Sequence, residues 1–80
     1  MKVEVHLFAT LATHLPPDAA GDGVILDLPR GSTVTDVIQV LKIPADVDCL
    51  RVVNGRDAAW EDHLADGDVL VLFPPLAGGA

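Results

Sequence analysis

The chain has 80 residues, enough for one domain, and half of them are apolar, enough for a small core. A domain this short buries only about 60–65% of the surface its unfolded chain exposes, so modest stability is expected. Twelve acidic against five basic residues give a net charge of −7, which argues against nucleic acid as a partner and favours a basic protein surface.

In chain order, Met1 to Phe8 alternates: Val3, Val5 and Leu7 on one side, Lys2, Glu4, His6 and Phe8 on the other. Period two predicts a strand with one buried face. Residues 9–19 carry Leu11 and Leu15 at helical spacing before Pro16-Pro17, which predicts a helical turn or a loop. Val24 to Leu28 alternates again and stops at Pro29 and Gly31. Val34, Val37, Ile38 and Leu41 fall at i, i+3, i+4 and i+7, the stripe of an amphipathic helix. Thr33 and Asp36 resemble a capping box at its start, and Pro44 closes it. Leu50 to Val53 reads as a strand, and Asn54-Gly55 supplies the left-handed dihedrals of a tight hairpin. Ala58 to Trp60 is expected as a short return strand. Asp66-Gly67-Asp68 turns into Val69 to Phe73, a run apolar enough to predict a central strand covered on both faces. One helix across one sheet is an α+β two-layer domain. Its first and last strands, the most apolar, should lie side by side in the middle, parallel to each other.

The stretch Leu64 to Gly79 holds an Asp-Gly-Asp turn, an apolar strand, Phe73-Pro74-Pro75 and a Gly78-Gly79 end. Leu7-Phe8-Ala9 with Leu11, Gly31-Ser32-Thr33-Val34 with Asp36-Val37, and Val52-Val53-Asn54-Gly55-Arg56 extend the pattern over nearly the whole chain. This pattern resembles the molybdopterin synthase small subunit and thiamine sulfur-carrier group of ubiquitin-like proteins, with the Phe8-Ala9 exit and the length favouring the molybdopterin branch. The resemblance implies a β-grasp domain: a mixed sheet of four to five strands with one main helix packed on one face. It implies a domain over residues 1–75 and a flexible Gly-Gly tail over 76–80. The activity it implies is that of a carrier, not an enzyme. A ubiquitin-activating-like enzyme would use ATP to adenylate the terminal glycine, Gly79, and the acyl-adenylate would become a thiocarboxylate. The large subunit of a molybdopterin synthase would then accept the sulfur for dithiolene synthesis. A thiamine precursor or another metabolite as sulfur acceptor, or a ubiquitin-like modifier or interaction module without sulfur chemistry, are the alternatives.

The chemistry accounts for the tail. A carboxylate is a poor electrophile until adenylation supplies a leaving group, and that reaction takes place inside a partner. Gly78 and Gly79 lack Cβ atoms, so their backbone suits a narrow channel. Pro74 and Pro75 should end the last strand and aim the tail outward. The chain runs on to Ala80, which would mask the Gly79 carboxylate. Trimming by a protease, a residue of non-native origin, or loss of carrier activity would each account for it, the first two being preferred.

Strand phase predicts the docking face. With Leu70 and Leu72 toward the helix, Val69, Val71 and Phe73 face away, together with His6 and Phe8. Phe8, Val71, Phe73, Pro74, Pro75 and Leu76 are therefore candidate partner-binding residues, with His6 as a polar rim residue. The alternative reading is that Phe8 and Phe73 are simply core.

Other chemistry finds little support. His6, His14 and His63 lack metal-ligand spacing, so no metal or bound cofactor is expected. Cys49 has no partner cysteine or nearby base and reads as a buried small hydrophobe. Trp60 reads as a core or edge-packing residue. Arg51, Arg56 and the acidic stretch Asp57, Glu61, Asp62, Asp66 and Asp68 read as solvated surface. The single cysteine, and the absence of a leader-like segment or an apolar run of membrane-spanning length, predict a soluble cytoplasmic protein.

Overall fold

The computed structural model describes residues 1–17, 19–44 and 48–75. Among them five strands and one α-helix follow in order: β1 (Lys2–Leu7), β2 (Gly23–Asp27), α1 (Val34–Val40), β3 (Leu50–Val53), β4 (Arg56–Asp57) and β5 (Val69–Phe73). A 3₁₀ helix, Ala9–His14, fills the connection after β1. The strands form one sheet in the order β2-β1-β5-β3-β4, with β1 and β5 parallel and the other neighbours antiparallel. This is the mixed β-grasp sheet with one main helix that the resemblance implied.

Alternation decides which side of the sheet is wet. Val3, Val5 and Leu7 of β1 and Leu70 and Leu72 of β5 are all fully buried. They meet Val34, Val37, Ile38 and Leu41, the predicted helix stripe, all buried as well. In β5 the other residues, Val69, Val71 and Phe73, are only half-buried. The expectation that β5 is covered on both faces is therefore corrected. The strand is central, but one helix can cover only one side of its sheet.

The start of α1 shows how closely its neighbours support it. Asp36 N–H donates to Thr33 Oγ1 at 3.3 Å, and Thr33 N–H donates to Asp36 Oδ2 at 2.8 Å. Val34 N–H donates to Asp62 O at 3.1 Å and Thr35 N–H to Trp60 O at 3.0 Å. Donors that a helix cannot satisfy for itself are thus met by the capping box and by the loop that follows β4.

The same bonds explain a second correction. Ala58 to Trp60 is not the return strand; β4 is the two residues Arg56–Asp57. Trp60 O is committed to Thr35, and Ala58 O accepts from Arg51 Nε at 3.0 Å. The segment leaves the ladder to serve the helix and Arg51. Arg51 is likewise not solvated surface. Its Nη1 donates to Cys49 O at 2.7 Å, and its guanidinium lies 4.4 Å from the centre of the Trp60 ring, a cation–π arrangement.

Three of the predicted surface acids also have structural partners. Asp66 Oδ1 accepts from Lys2 N–H at 2.7 Å, Asp62 Oδ2 from Ala59 N–H at 2.9 Å, and Asp68 Oδ2 from Ala65 N–H at 2.8 Å. Asn54 (φ 51°) and Gly55 (φ 84°) adopt the left-handed turn that their sequence predicts.

Leu70→Ala should destabilise the domain by about 3 kcal/mol through lost transfer energy and a residual cavity. Thr33→Ala should cost about 1 kcal/mol through loss of the cap. Urea unfolding midpoints at unchanged slope check both.

Candidate functional site: the open sheet face

Residues directly opposite each other on paired strands share a face. His6 pairs with Val71, Val71 with Val52, and Phe73 with Leu50. Phe8 prolongs β1, its N–H donating to Leu72 O at 3.2 Å. The face away from the helix therefore carries His6, Phe8, Leu50, Val52, Val71 and Phe73 together. Phe8 is 40% and Leu50 44% exposed, so this is an apolar patch open to solvent. The structure brings together four of the expected docking residues, His6, Phe8, Val71 and Phe73. Pro74, half-buried, and Pro75, exposed, follow directly from β5. Leu76, Gly78 and Gly79, along with Ala77 and Ala80, lie outside the described residues.

His6 is more than a rim residue. Its Nδ1 lies 3.1 Å from Asp22 Oδ1, its Nε2 bonds Glu4 Oε2, and its ring stacks on Phe8 at 6.4 Å between centroids and 14° between planes. Both ring nitrogens facing carboxylates is an arrangement that suits the imidazolium. The bond to Glu4 first, and that to Asp22 next, push the His6 pKa above the ordinary 6.5. Gly23 makes room for the ring: a Cβ there would lie 2.7 Å from imidazole atoms. Glu4, Asp22, Gly23 and Leu50 were not among the expected site residues. Glu4 is legible in hindsight as the i−2 neighbour of His6 on one strand face. Asp22, Gly23 and Leu50 come from other elements and depend on register.

Cys49 is 1% exposed, and burial pushes its thiol pKa up, against a weaker opposing pull from Arg51. A thiol in that state is a poor nucleophile. Among the described residues no group of three His, Cys, Asp or Glu side chains is placed to hold a metal ion, and no helix is long and apolar enough to cross a membrane.

A helix-backed mixed sheet whose middle strand runs out beside an apolar face defines the ubiquitin-like class of β-grasp domains. The model of the ThiS family matches residues 5–79, and the chain belongs to that family. Its fold is that of a ubiquitin-like sulfur carrier. Among solved structures it resembles SAMP1, small archaeal modifier protein 1, from Haloferax volcanii, with 30% identity and a TM-score of 0.75 over 99% of this chain and 100% of that one. It also resembles a Pyrococcus furiosus protein described as molybdopterin converting factor subunit 1, with 32% identity and a TM-score of 0.73 over 94% and 98% of the two chains. A third similar structure is a complex of subunits 1 and 2 of molybdopterin-converting factor from Helicobacter pylori, with 21% identity and a TM-score of 0.61 over 99% and 100%; it bears on the fold alone. No curated protein matches the chain at a significant level.

The His6 cluster sets a pH dependence. Because its folded-state pKa is raised, the stabilisation that His6 gives is fully present below pH 6.5. It is lost as pH rises through the folded value. An NMR titration should place the His6 midpoint above 6.5, and paired Glu4→Gln and Asp22→Asn changes should bring it down.

Proposed function

We propose that the chain is a sulfur carrier whose working group is the carboxylate of Gly79, freed by removal of Ala80. The family match carries this reading, because it runs through residue 79 and so takes in Gly78-Gly79. A partner enzyme of the ubiquitin-activating kind adenylates that carboxylate with ATP, releasing pyrophosphate. Sulfur at the sulfide level, supplied as hydrosulfide, then attacks the acyl carbon, and AMP leaves to give the thiocarboxylate and a proton. The carrier's part is presentation. It offers the Gly78-Gly79 pair, which has no side chains, on a body docked through Phe8, Val71 and Phe73, with His6 at the edge of the contact and Pro74, Pro75 and Leu76 leading into the partner's channel.

The similarity to the Pyrococcus furiosus molybdopterin converting factor subunit 1 supports pterin dithiolene synthesis as the destination. That protein is subunit 1 of its factor, which supports a second subunit as the partner that takes the sulfur. On this reading the chain alone is no enzyme but the small subunit of a synthase, and it acts in the cytoplasm. The similarity to SAMP1 favours a second reading, a ubiquitin-like modifier working from the same carboxylate. A thiamine precursor is the alternative sulfur acceptor within the first.

Intact mass after co-expression with the activating enzyme tests the proposal. The expected product has lost Ala80 and carries one sulfur in place of one oxygen. A chain ending at Gly79 that never acquires sulfur would count against the carrier reading, and mass shifts from attachment to other proteins would favour the modifier. Deleting Gly78-Gly79 should abolish the sulfur product while leaving face-mediated binding intact. Phe73→Asp should weaken that binding about tenfold or more, measured by calorimetry against the large subunit.

A further inference from the structure

His6 stands at the margin of the open face, where several elements meet. Glu4 precedes it on the same side of β1, Asp22 reaches it from the turn before β2, and the Phe8 ring stacks on it. Gly23 pairs with it from β2 and Val71 from β5. Glu4 and Asp22 are the charged groups that act on the ring. Further along the same two strands, Lys2 Nζ and Asp27 pair with each other at 3.4 Å. The His6 side chain is 25% exposed, against 46% for Glu4 and 48% for Asp22. The imidazole is therefore the more enclosed member of the cluster, and the carboxylates lie toward solvent.

A neutral imidazole has one N–H. Both ring nitrogens of His6 face carboxylates, so loss of the proton leaves a lone pair aimed at Glu4 or at Asp22. With the imidazolium present, the three groups carry one net negative charge; without it they carry two. A partner that covers Phe8 removes water from the cluster beside it. A lower dielectric strengthens the attraction between imidazolium and carboxylate. It also raises the cost of a charge left without a counterion. Both effects favour the protonated cluster in the docked state. The stack adds a geometric link, since it ties the clamped imidazole to one of the docking residues.

We propose that the Glu4–His6–Asp22 cluster makes docking on the open face depend on pH: the partner takes the chain with His6 protonated, and affinity falls as His6 gives up its proton. The inference rests on the open face being the surface that the large subunit grips. The sign follows from linkage. Docking that prefers the imidazolium raises the His6 pKa further in the complex. Affinity is then greatest below the free-chain pKa, falls as pH rises past it, and levels off above the value in the complex. The partner surface that fits is apolar over Phe8 and brings no cation against Glu4 or Asp22, because a cation there would take the place of the imidazolium and reverse the sign.

Calorimetry of the full chain with the large subunit of the synthase, repeated from about pH 6 to about pH 9, tests this. Affinity should fall about threefold or more over that range, with proton uptake on binding seen as a difference between phosphate and Tris buffers. An NMR titration should place the His6 midpoint higher in the complex than in the free chain. His6→Phe keeps a ring beside Phe8 and removes the titrating group, so its binding should lose this slope; the partner's own ionisations are common to both chains. If that variant does not fold, Gly23→Ala, whose Cβ would push the imidazole aside and leave every charge in place, should flatten the slope instead. Affinity that stays level or rises with pH, a His6 midpoint unmoved or lowered by docking, or an unchanged slope in His6→Phe would each overturn the pH dependence and leave the docking surface standing. No binding at any pH would overturn the docking surface itself, and this inference with it.

Discussion

The parallel pairing of β1 with β5 is the contact on which the rest of the domain depends. It joins the two ends of the chain, Glu4 to Leu7 beside Val69 to Leu72, in the middle of the sheet. The five side chains that β1 and β5 send toward α1 are wholly buried, which makes this ladder the floor of the core. Parallel strands need a long crossover, and everything between residues 8 and 68 serves as that connection. β5 is held on both sides, by β1 and by β3, right up to the prolines that precede the tail.

The pairing also creates the open face. Leu70 and Leu72 need the helix, so Val71 and Phe73 must turn away from it, and β1 places His6 and Phe8 beside them. A single strand thus anchors the core with one face and lays out an open apolar face with the other. The coupling is geometric: the open face and the end of β5 at Phe73 belong to the same ladder. The Glu4–His6–Asp22 cluster gives the apolar patch a charged border with a fixed shape. Gly23 is small because the imidazole lies over it.

Away from the ladder, the polar residues have structural roles that composition alone would not suggest. The chain from Ala58 to Asp68 has almost no regular structure, yet it supplies carbonyls to the start of α1 and carboxylates to its own turns. Its acidity is therefore part of the fold as well as of the surface field.

Much of this was legible in residue order. Alternation in Lys2–Leu7 and Val69–Phe73, the i, i+3, i+4, i+7 stripe of α1, the Thr33–Asp36 cap and the Asn54-Gly55 turn are local patterns, each set by backbone sterics and by which side chains avoid water. The displacement of the return strand to Arg56–Asp57, the anchoring of Arg51 over Trp60 and the bracketing of His6 were not legible. Each depends on a neighbour tens of residues away, brought close only by strand register. The local chain by itself determined the helix, the longer strands, the phase of their apolar faces and the Gly78-Gly79 pair. Only tertiary structure decided which carbonyls met the start of the helix and which carboxylates met the histidine, because hydrogen bonds at 3 Å are fixed by the packing of whole elements and not by spacing along the chain.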